Sequence, residues 1–538
     1  MSIAPPRPGR RALAAGDDRG VLSDTVLPAK RHLSRAPGPG ARRPTLLESA
    51  PIELDALSHA LRPARTLNPR PAVVDDLAYD SRQVTPGSLF VCVPGQRVDG
   101  HAHAAQAVAA GAVALVVERE LDLPVPQLVV EDARRAMADA ADAFFGRPSL
   151  ELELAGVTGT NGKTTTAFLL FAMLAAAGRR PGLLGTIERR VGGERRAAVR
   201  TTAEAIDLQR DLREMLDAGD RSCALEASSH AAALDRLRAV RFRALAFTNL
   251  TQDHLDFHGT MEAYFQAKRR LFVEPGPDGW LPAAAIGIGD EYGRRLADEL
   301  AAGERRLLRF GLEEDADVRA DALELTAAGA TFAAAGLELR TSLRGRFNVE
   351  NVLAAVAVGR LLGLPDGAIV RGVASLRGVP GRFEAVDAGQ PFAVIVDYAH
   401  TPDALGRVLE AARELCTGRL TCVFGCGGDR DRGQRPAMGA AAAAAADRVL
   451  VTSDNPRSED PAAIVEEILE GAGPGAEVEL DRARAIERAL REAAEGDVVV
   501  LAGKGHEPGQ EIAGEILPFD DRDVAERALR ALATGTPG

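Results

Sequence analysis

The chain has 538 residues, of which 46% are hydrophobic and 26% charged, with a formal net charge of −12; this is ordinary globular composition, with length for about three domains of ~150 residues each. The acidic balance speaks against a nucleic-acid-binding protein, without forbidding anionic ligands whose charge a bound metal ion offsets. Five scattered cysteines, Cys92, Cys223, Cys416, Cys422 and Cys426, exclude a disulfide framework and read as reduced, mostly buried thiols; with no apolar run near ~18 residues and no signal-peptide pattern, a cytoplasmic enzyme without membrane insertion is expected.

In chain order, residues 1–44 are rich in Pro, Arg, Gly and Ala without sustained periodicity, and read as a disordered tail or an upstream misassigned start. The fold proper is expected from about Leu46. SLFVCV (88–93) and VALVVE (113–118) read as strands flanking an Ala-rich helical stretch, HAHAAQAVAAGA. LELAGVT, CALEAS and ALAFTNL continue as strands, separated by a helix from Lys163 and followed by a long helix through Ala263. After about residue 378 the alternation resumes with FAVIVDYA, LTCVFGC, RVLVTSD and DVVVLAG, each followed by a helical segment. Strands alternating with helices of 10–15 residues predict βαβ units and parallel sheets, an α/β fold.

Residues 156–166, GVTGTNGKTTT, carry the chemistry. Gly162-Lys163-Thr164 matches the end of a phosphate-binding loop, but the general pattern places a glycine where this chain has Val157. The context is right: a short apolar strand, the loop, then the helical AFLLFAMLAAAG. Backbone N–H groups and the helix N-terminus then face an anion. Lys163 would reach the β- and γ-phosphates, and the Thr164 hydroxyl would meet Mg²⁺. Glu226 and His254 follow the ends of the next two strands, where ligands of parallel sheets gather; beside a triphosphate they suit Mg²⁺.

GTNGKTTT, EASSH, NLTQDHLDFHG, YFQAKRRLF, GRFNVENVLAA, GVPGRFE, DYAHTPDAL, GCGGDRDRG, DNPRSEDP and GKGHE occur in that order. From about residue 50 onward the chain resembles the Mur ligases of peptidoglycan synthesis, and among them those that add meso-diaminopimelate to UDP-N-acetylmuramoyl-L-alanyl-D-glutamate; GTNGK is that family's form of the phosphate loop. The resemblance implies three α/β domains: a uridine-nucleotide-binding domain (45–150), a central ATP-binding domain with a mainly parallel sheet (151–377) and a C-terminal Rossmann-like domain that binds the amino acid (378–538). It implies ATP-driven amide formation through an acyl phosphate, with two Mg²⁺ ions, in a protein expected to be a monomer.

Carried over by motif, Gly159, Thr160, Asn161, Gly162, Lys163, Thr164 and Thr165 would hold the ATP phosphates, and Asn351, Arg382, Asp397 and His400 the rest of the nucleotide. Thr164, Glu226, His254 and Lys268 would bind the metal ions. Lys268 matches the family's carbamylated lysine, an anion where a free ammonium would be repelled by the metal. Lys163, Glu226, His254 and Lys268 form the implied catalytic set. Ser81 and Arg82 are implied for the uridine nucleotide, with a turn and a surface ion pair as the plain alternative. Thr201, Thr202, Ser228 and Arg236 are implied for the dipeptide, Arg236 as a bidentate carboxylate clamp. Arg430, Asp454, Asn455, Pro456, Arg457, Gly503 and Glu507 are implied for diaminopimelate. Arg457 suits its distal carboxylate and would repel the bare ammonium of lysine; Glu507 suits its distal ammonium. Three departures stand out: Ala203 where the family has Pro, Gly287 and Gly289 in AIGIGDE (285–291), and Gln434 for a usual Lys. Rival readings are another ligase of the superfamily, lysine-adding or folylpolyglutamate-forming, and a nucleotide-binding protein that has lost catalysis.

Overall fold

The computed structural model describes residues 51–534 except 96–97, 277 and 327. The tail expected over 1–44 and the expected start near Leu46 lie outside these residues.

The N-terminal part is a five-stranded sheet in the order Arg65–Leu67, Gln127–Val129, Ala114–Val117, Ser88–Val91, Asp76–Ala78, parallel except at the first pair. Helix Ala133–Phe144 covers one face. The Asp132 carboxylate accepts the N–H groups of Arg134 and Arg135 at 2.8 and 3.1 Å, satisfying donors that a helix start leaves open. Its buried residues, Ala133, Met137, Ala140 and Phe144 among them, recur at helical spacing and form one stripe. The same helix packs on Ala205–Asp217 of the central part. Polar bonds reinforce that junction: Tyr79 Oη donates to Asp207 Oδ2 at 2.7 Å, and Arg210 Nη2 to Asp76 Oδ1 at 3.0 Å.

The central part holds a nine-stranded sheet. Its core runs Pro181–Leu184, Ser222–Glu226, Glu153–Thr158, Phe242–Phe247, Ala283–Gly287, Leu307–Gly311, all parallel. These strands are mostly apolar on both faces, with polar residues such as Arg243 and Arg309 as exceptions, because helices cover both faces. Lys163–Ala176 and Arg346–Leu361 lie on one face; Ala205–Asp217, Met261–Val273 and Glu291–Ala301 lie on the other. The expected long helix through Ala263 is Met261–Val273. A single turn, Leu255–His258, precedes it and ends at Gly259 (φ 75°), and Thr260 Oγ1 starts the helix by accepting Ala263 N–H at 3.1 Å.

The C-terminal part is a six-stranded sheet in the order Glu384–Ala385, Ala393–Asp397, Val498–Ala502, Leu420–Phe424, Arg448–Val451, Glu477–Val478, parallel after the first pair. The carboxyl ends of its four middle strands carry DYAH, GKGHE, GCGGD and DNPR, so topology gathers four distant motifs at one edge. Beneath that edge lies Arg482, whose guanidinium makes a bidentate pair with Asp521 at 2.8 and 2.7 Å and donates to Ala502 O at 2.8 Å. Both side chains of the pair are fully buried. Removing one partner leaves an uncompensated buried charge. Asp521→Ala is therefore expected to destabilise the chain by about 3–5 kcal/mol, read as a lowered urea midpoint; an unchanged midpoint would contradict the assignment.

Candidate functional site

The displaced glycine of the phosphate loop has a structural reason. Val157 is still inside strand Glu153–Thr158, fully buried in the core. The chain turns only at Gly159 (φ 145°), where a Cβ would fall 1.8 Å from Thr248 Oγ1. At Gly162 (φ 88°), a Cβ would fall 2.2 Å from Asn351 Oδ1. The loop is shaped by the end of the neighbouring strand: Thr248 Oγ1 donates to Asn161 O at 2.6 Å, Asn161 N–H to Asn249 Oδ1 at 2.9 Å, and Thr160 N–H to Asn249 O at 2.9 Å.

Two lysines converge on one carbonyl. Lys163 Nζ donates to Gly159 O at 3.0 Å and Thr160 O at 2.8 Å, and Lys268 Nζ to Gly159 O at 2.7 Å. Lys268 is 1% exposed and stands 4.7 Å from the centre of the Tyr264 ring. Burial, then the nearby Lys163 charge, pushes its amine well below the ordinary lysine value. Burial also lowers Lys163, with Glu226 opposing.

Beside them an oxygen cluster surrounds Glu226, which is fully buried. Thr164 Oγ1 and Thr186 Oγ1 each donate to Glu226 Oε2 at 3.0 Å, and Thr186 N–H to Oε1 at 2.9 Å. Hydroxyls and a carboxylate are the hard donors that Mg²⁺ takes. His254 has a left-handed backbone (φ 54°), and its ring lies 3.3 Å from Asp253 and 4.7 Å, centre to centre, from that of His230. Burial holds its imidazole below the usual value, toward the neutral form that can ligate a metal.

Lys163, Thr164, Thr186, His254 and Lys268 line a cavity of 220 Å³, with Glu226 buried just behind the two threonines; Phe310, Phe347, Ala404 and Val408 add an apolar part to its lining, and Asn351 stands against Gly162. The apolar residues suit a base, and the loop suits phosphates. The C-terminal part closes the cavity: Asn161 Nδ2 donates to Asp403 Oδ2 at 2.9 Å, Arg382 Nη2 to Thr164 Oγ1 at 3.2 Å, and Arg407 Nη1 to Glu350 Oε2 at 3.2 Å. His400 lines the cavity. Asp397 does too, but its oxygens accept the N–H groups of Phe383 and Ala399 at 2.6 and 2.7 Å, so it orders the Arg382 segment.

A second cavity, of 170 Å³, adjoins the first and shares Asp253, His254, Tyr398 and His400 with it. Arg430, Asp454, Asn455, Arg457, Gly503 and Glu507 line it, six of the seven residues expected for the amino acid. Pro456 stands outside the lining, its carbonyl against Gly428. Arg457, at φ 51°, is held by its N–H to Glu511 O at 3.0 Å and by Nη1 to Gly428 O at 2.6 Å. Gln434 also lines this cavity. Buried cations brace its loops. Arg435, 1% exposed, donates to Glu459 at 2.8 Å and Glu467 at 2.9 Å. Arg482 and Lys504 act in the same way. Sequence reasoning missed all three; Lys504 and Arg435 lie inside or just after ordered motifs, and Arg482 has no such signal.

The remaining expected residues divide. Thr201 and Ser228 line the first cavity. Thr202 lies behind, with Oγ1 donating to Glu226 O at 2.7 Å and accepting Ser228 N–H at 3.1 Å. These bonds hold the segment in which Ala203 replaces a proline. Arg236 lines neither cavity: it is paired with Glu204 at 2.7 Å and donates to Thr202 O at 3.1 Å, so the expected free carboxylate clamp is instead an internal brace. Ser81 and Arg82 form a 3-10 turn in which Arg82 is paired with Asp80 at 2.7 Å, the plain alternative, and neither lines the two cavities. In AIGIGDE, Asp290 keeps a capping role, accepting Gly293 N–H at 2.9 Å and Leu250 N–H at 3.0 Å.

Fold and site together define a nucleotide-binding α/β protein of three domains built around a phosphate loop. Three family descriptions match: "Mur ligase family, catalytic domain" over residues 74–145, "Mur ligase middle domain" over 157–359, and "Mur ligase, glutamate ligase domain" over 381–505. The chain is 49% identical over 470 residues (85% of this chain, 94% of the relative) to a UDP-N-acetylmuramoyl-L-alanyl-D-glutamate–2,6-diaminopimelate ligase of Solibacter usitatus. It is 46% identical over 463 residues (84% and 94%) to the ligase of that name from Geobacillus thermodenitrificans. A solved structure of such a ligase is 34% identical, covers 86% of this chain and 95% of its own, and superposes with a TM-score of 0.61. The chain belongs to the Mur ligase family.

Gly159→Ala forces a side chain into Thr248 and displaces the loop. ADP affinity is expected to fall by about 100-fold, the scale of a ~1 Å misplacement; calorimetric titration showing unchanged affinity would contradict this.

Proposed function

We propose that this chain is an ATP-dependent amide ligase that joins meso-diaminopimelate to the D-glutamate of UDP-N-acetylmuramoyl-L-alanyl-D-glutamate, giving the tripeptide nucleotide, ADP and phosphate. One observation carries the reading. A cavity lined by a phosphate loop and by apolar residues adjoins a cavity lined by both guanidinium and carboxylate groups, across Asp253, His254, Tyr398 and His400.

A carboxylate is a poor acyl donor because its leaving group would be oxide. In the proposed reaction a glutamate oxygen attacks the γ-phosphorus, the bond to the β-γ bridging oxygen breaks, and ADP leaves. The amino group of diaminopimelate then attacks the acyl phosphate carbonyl and loses a proton, and phosphate departs. The protein's part is positioning and charge neutralisation. Lys163 and the loop N–H groups hold the transferring phosphoryl group, and Arg382 reaches it from the C-terminal part. The bonds from Asn161 to Asp403 and from Arg407 to Glu350 hold the C-terminal part against the central part, the arrangement that would shield a hydrolysable intermediate from water once substrates fill the cavity. Thr201 and Ser228 face the dipeptide, and Ser81 and Arg82 remain the proposed uridine contacts. Arg457 and Arg430 take the distal carboxylate of diaminopimelate, and Glu507 its distal ammonium.

The Thr164, Thr186 and Glu226 oxygens fit a first Mg²⁺, and His254 with Lys268 a second, provided Lys268 carries a carbamate. Bound there, Mg²⁺ supplies charge neutralisation at the phosphoryl oxygens. The carbamate is supported by geometry: the buried Lys268 nitrogen and that of the half-buried Lys163 lie within about 6 Å of each other and repel at unit charge, and an anion at one turns repulsion into attraction. The domain limits 45–150, 151–377 and 378–538, a monomeric state and a cytoplasmic location belong to the same reading. Among the described residues, no helix is long and apolar enough to cross a membrane.

The test is ADP formation with ATP, Mg²⁺ and the muramyl dipeptide nucleotide, with each amino acid in turn. ADP that requires diaminopimelate is the expected result; a requirement for lysine, or ADP without any amino acid, would overturn the reading. Lys268→Ala is expected to lose about 100- to 1000-fold in kcat. Labelled bicarbonate should give a carbamate carbon resonance in the unaltered enzyme that this variant lacks.

A further inference from the structure

We infer that Lys504 is a positioning residue that sets the amino-acid preference of the second cavity by compensating Glu507 and fixing Asn455; this rests on the proposed ligase reading. Lys504 is fully buried, and an ammonium has three N–H donors. All three have acceptors: Gly509 O at 2.6 Å, Asn455 Oδ1 at 3.1 Å and Glu507 Oε2 at 3.2 Å. It therefore has no donor left for a ligand and acts only through its neighbours.

Its effect on each neighbour is specific. Asn455 Oδ1 accepts from Lys504 and from Glu511 N–H at 3.0 Å, which turns its amide nitrogen toward Glu507. Asn455 Nδ2 then donates to Glu507 Oε2 at 2.8 Å. One oxygen of Glu507 thus takes both the ammonium and the amide, while the side chain keeps 30% exposure at the cavity. The cavity then holds Glu507, its charge offset by Lys504, together with Arg430 and with Arg457, which is itself paired with Glu511 at 3.4 Å; Asp253, Asp256, Asp431 and Asp454 are the other carboxylates of the lining.

That arrangement suits a head group with no net charge. A distal amino-acid centre brings an ammonium for the open side of Glu507 and a carboxylate for the guanidinium groups. A lone ammonium, as on lysine, meets an acceptor already shared with Lys504 and brings no carboxylate for Arg430. Discrimination comes from that unpaired guanidinium as much as from attraction. Without Lys504 the full charge of Glu507 returns, which favours the cation over the zwitterion, while Asn455 loses its orientation.

The test is Lys504→Met in the full chain, measuring ADP formation with diaminopimelate and with lysine beside the unaltered enzyme. The expected result is a rise in KM for diaminopimelate, no change in KM for ATP, and a fall of at least ~10-fold in the preference for diaminopimelate over lysine. A fall in both activities with the preference unchanged would reduce Lys504 to a purely structural role and overturn the inference. Should the variant not fold, a structure of the unaltered enzyme with diaminopimelate decides. Lys504 keeping its three acceptors while the distal ammonium sits on Glu507 Oε1 supports the inference, and Lys504 releasing Glu507 or touching the ligand overturns it. An unaltered enzyme that makes ADP with neither amino acid overturns the ligase reading itself, and this inference with it.

Discussion

The carbonyl of Gly159 receives both Lys163 and the buried Lys268, and the rest of the first cavity is arranged around that contact. Two unit charges within about 6 Å would repel by about 3 kcal/mol at an effective dielectric constant of ~20. Burial and that repulsion together hold the Lys268 amine well below the ordinary lysine value, and an anion in its place would instead attract Lys163. The geometry of the carbonyl is in turn fixed by Thr248 and Asn249 at the end of the adjacent strand, and by a glycine that no other residue can replace without striking Thr248.

The second cavity follows a different rule. Its ligand-facing groups lie on four loops at the carboxyl ends of parallel strands, and loops alone hold side chains poorly. Here Arg435, Arg482 and Lys504 are buried beneath them, each with carboxylate and carbonyl partners. A buried cation stripped of its acceptors is costly, so these pairs fix loop position strongly even where their net contribution to stability is small. The two cavities meet at Asp253 and His254, which belong to the central part, and Tyr398 and His400, which belong to the C-terminal part. Chemistry at that seam depends on both parts being in contact.

Much of this was legible in the sequence because it is local. The strand before the phosphate loop, the loop and the helix after it follow from periodicity and glycine placement. Parallel topology then brings Glu226, His254 and the four C-terminal motifs to strand ends. Other features depend on contacts between distant residues, which no local pattern records. Arg236 is taken up by Glu204, and Arg82 by Asp80. The turn Leu255–His258 before the helix through Ala263, ended by Gly259 ahead of the Thr260 cap, is likewise not recorded in the periodicity. Lys504 reads as an ordinary charged residue until the fold sets Asn455, 49 positions away in sequence, against its ammonium.

The central claim is that the first cavity passes a phosphoryl group to a carboxylate. Its most direct measurement uses the muramyl dipeptide nucleotide with heavy oxygen in the carboxylates of its D-glutamate, turned over with ATP, Mg²⁺ and diaminopimelate. The account predicts that the released phosphate carries one heavy oxygen atom, taken from one of those carboxylates. ADP formation with phosphate free of the label would contradict it.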